Sequence, residues 1–121
     1  MHISERRIGD VTVLDLVGEL TYANRGPFKA AVERSKQAGC RHLILDLQAV
    51  RFLDSSAIGM LALLAQGMKT SHGSIILSSP QSYIREILAL AHLDRLFPIY
   101  STVQEALMRE QLPTGMTENR T

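Results

Sequence analysis

The chain is poor in the features that announce a special environment or a cofactor. It has a single cysteine, Cys40, so no internal disulfide can form, and with no histidine or second cysteine beside it the thiol is read as a packing group where a helix gives way to a strand. There is no excess of either charge. Thirteen basic and twelve acidic residues leave a net charge of +1, which provides no electrostatic footprint for nucleic acid or a membrane surface. No long hydrophobic run occurs either: the longest, Ala57 to Ala65, is broken by Gly59 and falls far below the ~20 residues a membrane span needs. The N-terminus, MHISERRIGD, lacks the apolar core of a signal peptide, so a cytoplasmic protein is expected. Four scattered histidines show no ligand-like spacing, and there is no GxGxxG motif, P-loop or evident acid/base pair, so neither a metal, a cofactor nor catalysis is expected. Internal repeats and low-complexity segments are absent as well.

What is present is the patterning of one small α/β domain over residues 1–112, followed by a tail at 113–121 without apolar periodicity, expected to be disordered. Ile3 to Ile8 and Val11 to Val17 are two strands joined by Gly9-Asp10, a pair suited to a tight antiparallel turn. Few positions in the second arm are polar, which predicts an internal strand covered on both faces. Asn24 is placed to cap a helix whose first turn tolerates Pro27. Phe28, Ala31, Val32 and Ser35 form its narrow buried face, and Gly39 stops it.

The chain is organised around Leu43 to Met68. Leu43-Ile44-Leu45 reads as a buried central strand that Asp46 ends, with a short connection from Gln48 to Leu53. Asp54, Ser55 and Ser56 then precede an apolar segment too long for one strand, which puts them at a helix N-terminus. Free backbone N–H groups and the helix dipole favour an anion there, so a phosphate on a serine would need little rearrangement. Ala57, Ile58, Leu61, Leu64, Ala65 and Met68 share one face of this helix, while Met60 and Leu63 fall off it. Either a neighbouring helix covers these two, or they form an exposed patch for a partner protein.

Beyond His72-Gly73, a second buried strand, Ser74 to Ser78, completes a parallel βαβ unit. Ile84, Ile87, Leu88 and Ala91 mark a third helix after Pro80, and a short strand is expected around Phe97 to Tyr100. Thr102-Val103-Gln104-Glu105 has the form of a capping box opening a last helix.

Asp54-Ser55-Ser56-Ala57-Ile58-Gly59, with Gly18-Glu19-Leu20 upstream and Leu96-Phe97 and Glu105-Ala106-Leu107 downstream, resembles the STAS domain family, and within it the bacterial anti-sigma factor antagonists. The family signature is Asp-Ser-Ser or Asp-Ser-Thr followed by Gly-Leu-Gly, and this chain matches four of six positions. The resemblance implies an α/β fold, a small mixed sheet with an N-terminal antiparallel hairpin and about four packed helices. It implies phosphorylation at Ser55 by a cognate serine kinase and reversal by a metal-dependent phosphatase. The unphosphorylated form would bind an anti-sigma factor that is itself the kinase, with a histidine-kinase-like ATPase fold, and so free a sigma factor or other effector. Partner contacts are expected at Glu19, Thr21, Asn24, Asp54, Ser56, Ala57, Ile58, Met60 and Leu63. Thr21 stands where the family has Asp, and there it can hydrogen-bond the loop or start the helix. His92 stands where the family often has Gly. The rival reading is an accessory or scaffold STAS subunit of a stress-signalling or lipid-transport complex.

Overall fold

The computed structural model describes residues 1–110; the tail expected at 113–121 lies outside them. Two strands, β1 (His2–Ile8) and β2 (Val11–Leu20), form the expected hairpin. Gly9 takes φ +61° in its two-residue turn, the positive value that a Gly-first hairpin turn requires. A 3-10 turn (Tyr22–Asn24) leads into α1 (Arg25–Gln37). Gly39 ends that helix at φ +88°, with the Cys40 N–H donating to Ser35 O and the Gly39 N–H to Lys36 O. This paired closure satisfies carbonyls that a helix end leaves free.

The chain continues through β3 (His42–Leu53), α2 (Ser55–Thr70), β4 (Ser74–Ser78), α3 (Ser82–Leu90), a 3-10 turn (Leu93–Arg95), β5 (Ile99–Tyr100) and α4 (Val103–Arg109). The five strands lie in sequence order, β1 antiparallel to β2 and every later pair parallel. Each crossover therefore steps to the adjacent strand, and α1, α2 and α3 share one face of the sheet. Strand alternation divides the core accordingly. Leu43, Leu45, Leu47, Ile75 and Leu77 pack with Phe28, Leu61, Ile84 and Leu88 from those helices, while Val11, Val13, Ile44 and Ile76 meet Val103 and Ala106 of α4 on the other side. Each large aliphatic side chain removed from water in this way contributes about 1.5–3 kcal/mol. Cys40 is buried and its thiol donates to His42 O at 3.1 Å, in keeping with a packing role.

Three details differ from expectation. First, Gln48 to Leu53 is strand, not connection: β3 keeps pairing with β2 past Asp46, from Val17↔Ala49 to Leu20↔Leu53, across two register shifts. Its pairing with β4 stops at Asp46↔Ser78, so the far half of β3 has a strand neighbour on one side only. Second, Val17 is 45% exposed, because α4 is short and does not reach the end of the β2–β3 ribbon. Third, Glu105 reaches the N–H of Ser101 at 2.8 Å, one residue before Thr102, although Thr102 Oγ1 accepts from the Glu105 N–H as a capping box demands.

Candidate functional site

The extended β2–β3 ribbon positions the site. Because Leu20 and Leu53 are paired and buried at its tip, the turn after β2 and the start of α2 emerge side by side. Asp54 joins them. Its Oδ1 accepts from the Ala57 N–H at 2.9 Å and caps α2, and its Oδ2 accepts from the Tyr22 N–H at 3.0 Å. The Asp54 N–H in turn donates to Leu20 O at 3.3 Å. The Ala57 bond, then the Tyr22 bond, hold the Asp54 carboxyl below its ordinary value of 3.8, so it is a carboxylate at neutral pH.

Ser55 is the first residue of α2 and is exposed, and its hydroxyl makes no hydrogen bond among the described residues. Asp54 does the capping that a serine here would otherwise do, which leaves the Ser55 hydroxyl free for chemistry. Ser56 is half-buried one position further on. A 16-residue helix behind these serines places positive dipole and unpaired N–H groups at the hydroxyl.

The other expected contact residues fall into three groups. Glu19, exposed near the end of β2, and Thr21, half-buried in the turn that follows, adjoin the head of α2. Asn24 occupies the position before α1 but does not cap it; its Nδ2 donates back to Glu19 O at 2.6 Å and to Thr21 Oγ1 at 3.4 Å. The amide closes the loop instead, since φ −101° and ψ 7° hold Asn24 away from the extended conformation usual for a capping residue. Thr21 thus both hydrogen-bonds the loop and starts its 3-10 turn. In α2, Ala57 is fully buried and has no surface to offer a partner, which corrects its inclusion as a contact. Ile58 and Met60 are half-buried, and Leu63 is 70% exposed. Met60 and Leu63 line a groove of about 280 Å³ between α1 and α2, floored by Phe28 and flanked by Lys29 and Lys36. The neighbouring helix therefore covers Met60 in part and leaves Leu63 open.

Sequence reasoning missed Tyr22 and Arg25. The Arg25 guanidinium stacks 3.5 Å from the centroid of the Tyr22 ring and donates to Tyr22 O at 2.7 Å, beside the Tyr22 N–H that holds Asp54. A backbone donor has no signature in sequence. The Tyr-x-x-Arg spacing could have suggested the stacked pair.

A sequential mixed sheet with three helices on one face, and an Asp-capped serine at the head of the central helix, defines a small α/β domain. The chain matches the STAS domain model over residues 2–106, and it belongs to that family. A protein of Thermotoga maritima provisionally named an anti-sigma factor antagonist is 31% identical over 101 residues, which cover 83% of this chain and 89% of that protein. The crystal structure of a T. maritima protein with the same provisional name is 28% identical, with a TM-score of 0.84 over 91% of this chain and 95% of that one. The anti-sigma factor antagonist SpoIIAA, solved in unphosphorylated and phosphorylated forms, is 20% and 21% identical. Its TM-scores are 0.69 and 0.70, covering 91% and 90% of this chain and 98% and 99% of SpoIIAA. That last likeness is one of fold.

Proposed function

We propose that this chain is an anti-sigma factor antagonist that works as a phosphorylation-controlled binding switch, with Ser55 as the phosphorylated residue. The observation that carries this reading is the division of labour at the head of α2: Asp54 caps the helix with Oδ1 and holds the Tyr22 N–H with Oδ2, and Ser55 beside it is exposed and unbonded among the described residues. The Thermotoga maritima relative provisionally named an anti-sigma factor antagonist supplies the class of partner. In the unphosphorylated state the Ser55 surface, with Glu19, Thr21, Asn24 and Ser56 around it and Ile58, Met60 and Leu63 along α2, binds an anti-sigma factor of histidine-kinase-like ATPase fold. The sigma factor or other effector held by that protein is released. The same partner phosphorylates Ser55, and a metal-dependent serine phosphatase restores the hydroxyl.

The physical basis of the switch is charge placed in a packed contact. A phosphoserine brings roughly −1.5 to −2 charges and three acceptor oxygens to a surface fitted to a neutral hydroxyl. Asp54 adds a further carboxylate next to it. The partner must strip water from these groups to bind, and an unpaired buried charge costs far more than the contact returns.

The test is capture from the native cell with wild-type and Ser55→Asp baits, followed by incubation of the captured partner with ATP. The expected result is a partner retained only by the wild-type bait, which transfers one phosphate to Ser55 on phosphopeptide mapping. Phosphate found only on Ser56, Thr70 or Ser71, or transporter subunits retained equally by both baits, overturns the proposal.

A further inference from the structure

We propose that the cavity beyond the carboxyl ends of β4 and β5, beside Asp46 and Gln48 in the middle of β3 and separate from the Ser55 site, binds a small phosphorylated polyol, with its phosphate at Arg6 and Arg85 and its hydroxyls toward Asp46, Gln48, Ser79 and Gln104. The cavity has a volume of about 580 Å³, within the range of small-molecule sites. Its place is set by topology: pairing of β3 with β4 stops at Asp46↔Ser78, β5 ends at Tyr100, and the gap beyond these strand ends is left unfilled.

Four separate elements and one turn supply the lining: Arg6 from β1, Asp46 and Gln48 from β3, Ser79 from the turn after β4, Arg85 from α3 and Gln104 from α4. The two cations differ in preparation. Arg6 is fixed by two bonds to Asp15 at 2.8 and 3.0 Å and stands 3.9 Å from Asp46. Arg85 has no carboxylate partner among the described residues, so a cation faces the cavity without its counter-charge. A phosphate has oxygens enough for both guanidinium groups, and planar guanidinium donors suit it.

The backbone at Ser79 and a side-chain bond from Gln81 distinguish the rim from ordinary surface. Ser79 is a non-glycine residue at φ +59°, held there by its N–H donating to Tyr100 O at 2.8 Å, and backbone of this kind persists where the surroundings impose it. Gln81 Nε2 donates to Gln48 O at 3.0 Å and closes the side nearest the ribbon. Burial pushes the Asp46 carboxyl up from its ordinary value.

The experiment is titration of the ¹⁵N-labelled chain with glucose 6-phosphate, and in parallel with inorganic phosphate and with glucose. Saturable shifts are expected at the Ser79, Arg85 and Gln104 amides, with Ser55 and Asp54 unmoved, and Arg85→Gln should weaken binding by about tenfold or more through loss of a charge-assisted contact. Saturation by inorganic phosphate at the same amides, with glucose inert, also supports the anion seat. No saturation by either phosphate, equal affinity in Arg85→Gln, or saturation by glucose alone overturns the proposal. Should Arg85→Gln not fold, Gln104→Glu at an exposed position of α4 takes its place, because a carboxylate added to the cavity lining should weaken binding of an anion about tenfold or more. None of these outcomes depends on whether Ser55 is phosphorylated.

Discussion

Asp54 and Tyr22, 32 residues apart in sequence, are joined by a 3.0 Å hydrogen bond from the Tyr22 N–H to Asp54 Oδ2. Through that one bond the loop after β2 and the head of α2 behave as one unit, and the candidate phosphosite has a floor that no single element provides.

Because the Ala57 and Tyr22 bonds lower the Asp54 pKa, the group stabilises the fold above its ordinary value of 3.8, and this contribution is lost as pH falls through the folded value. Asp54→Ala should therefore lower the melting temperature at pH 7, and the gap between variant and parent should close on acidification below that value. Melting curves of both proteins across this window check the sign; a gap that widens toward low pH contradicts the assignment.

Phosphorylation at Ser55 should alter binding and leave the domain folded. The helix dipole favours the added charge by about 0.3–1 kcal/mol, so free α2 tolerates it. SpoIIAA has this fold to a similar TM-score in both its forms. Amide shifts on phosphorylation are expected in the Asp54 loop, the first turn of α2 and Glu19 to Asn24. Shifts spread through the strands at Val13 and Leu45 would mean that the switch remodels the fold. Ser55→Ala should remove the phosphate and change stability by no more than about 0.5 kcal/mol, since Asp54 is the cap.

Leu61 and Leu63, two residues apart on α2, should respond oppositely. Leu61 is fully buried, so Leu61→Ala should cost about 2–5 kcal/mol of stability. Leu63 is 70% exposed, so Leu63→Glu should change stability by only about 0.5 kcal/mol while weakening capture of the partner. Denaturant unfolding together with the capture assay separates the two effects; a large stability loss in Leu63→Glu would remove this residue from the contact surface.

His92 follows α3 at φ +61°, in the left-handed region that costs a side-chain-bearing residue energy. The family's frequent Gly at this place is thus explained by backbone geometry. His92→Gly should raise stability by about 0.5–1 kcal/mol, strain relief outweighing the added freedom of the unfolded chain. A lower denaturation midpoint would show that the histidine ring makes a contact worth more than the strain.

The sequence alone determined what depends on neighbours along the chain. The Gly9-Asp10 turn, the Gly39 stop, the buried run at Leu43 to Leu45 and the Asp54 cap are signals contained in a few residues, and the family motif at Asp54-Ser55-Ser56 is equally local. What only the tertiary structure decided is what those elements meet. Gln48 to Leu53 reads as a connection because its polar residues break the apolar run, yet pairing with β2 carries it on as strand. Ala57 and Leu63 look alike as apolar helix positions, and only the placement of α1 and the sheet buries one and exposes the other. Asn24 has the side chain of a cap, but the loop's path gives it Glu19 O instead. The bond from Tyr22 to Asp54 and the cavity between Arg6 and Arg85 likewise arise from segments brought together by the strand order. Hydrogen-bonding capacity is written in each residue, whereas the partner that meets it is chosen by packing across the whole chain.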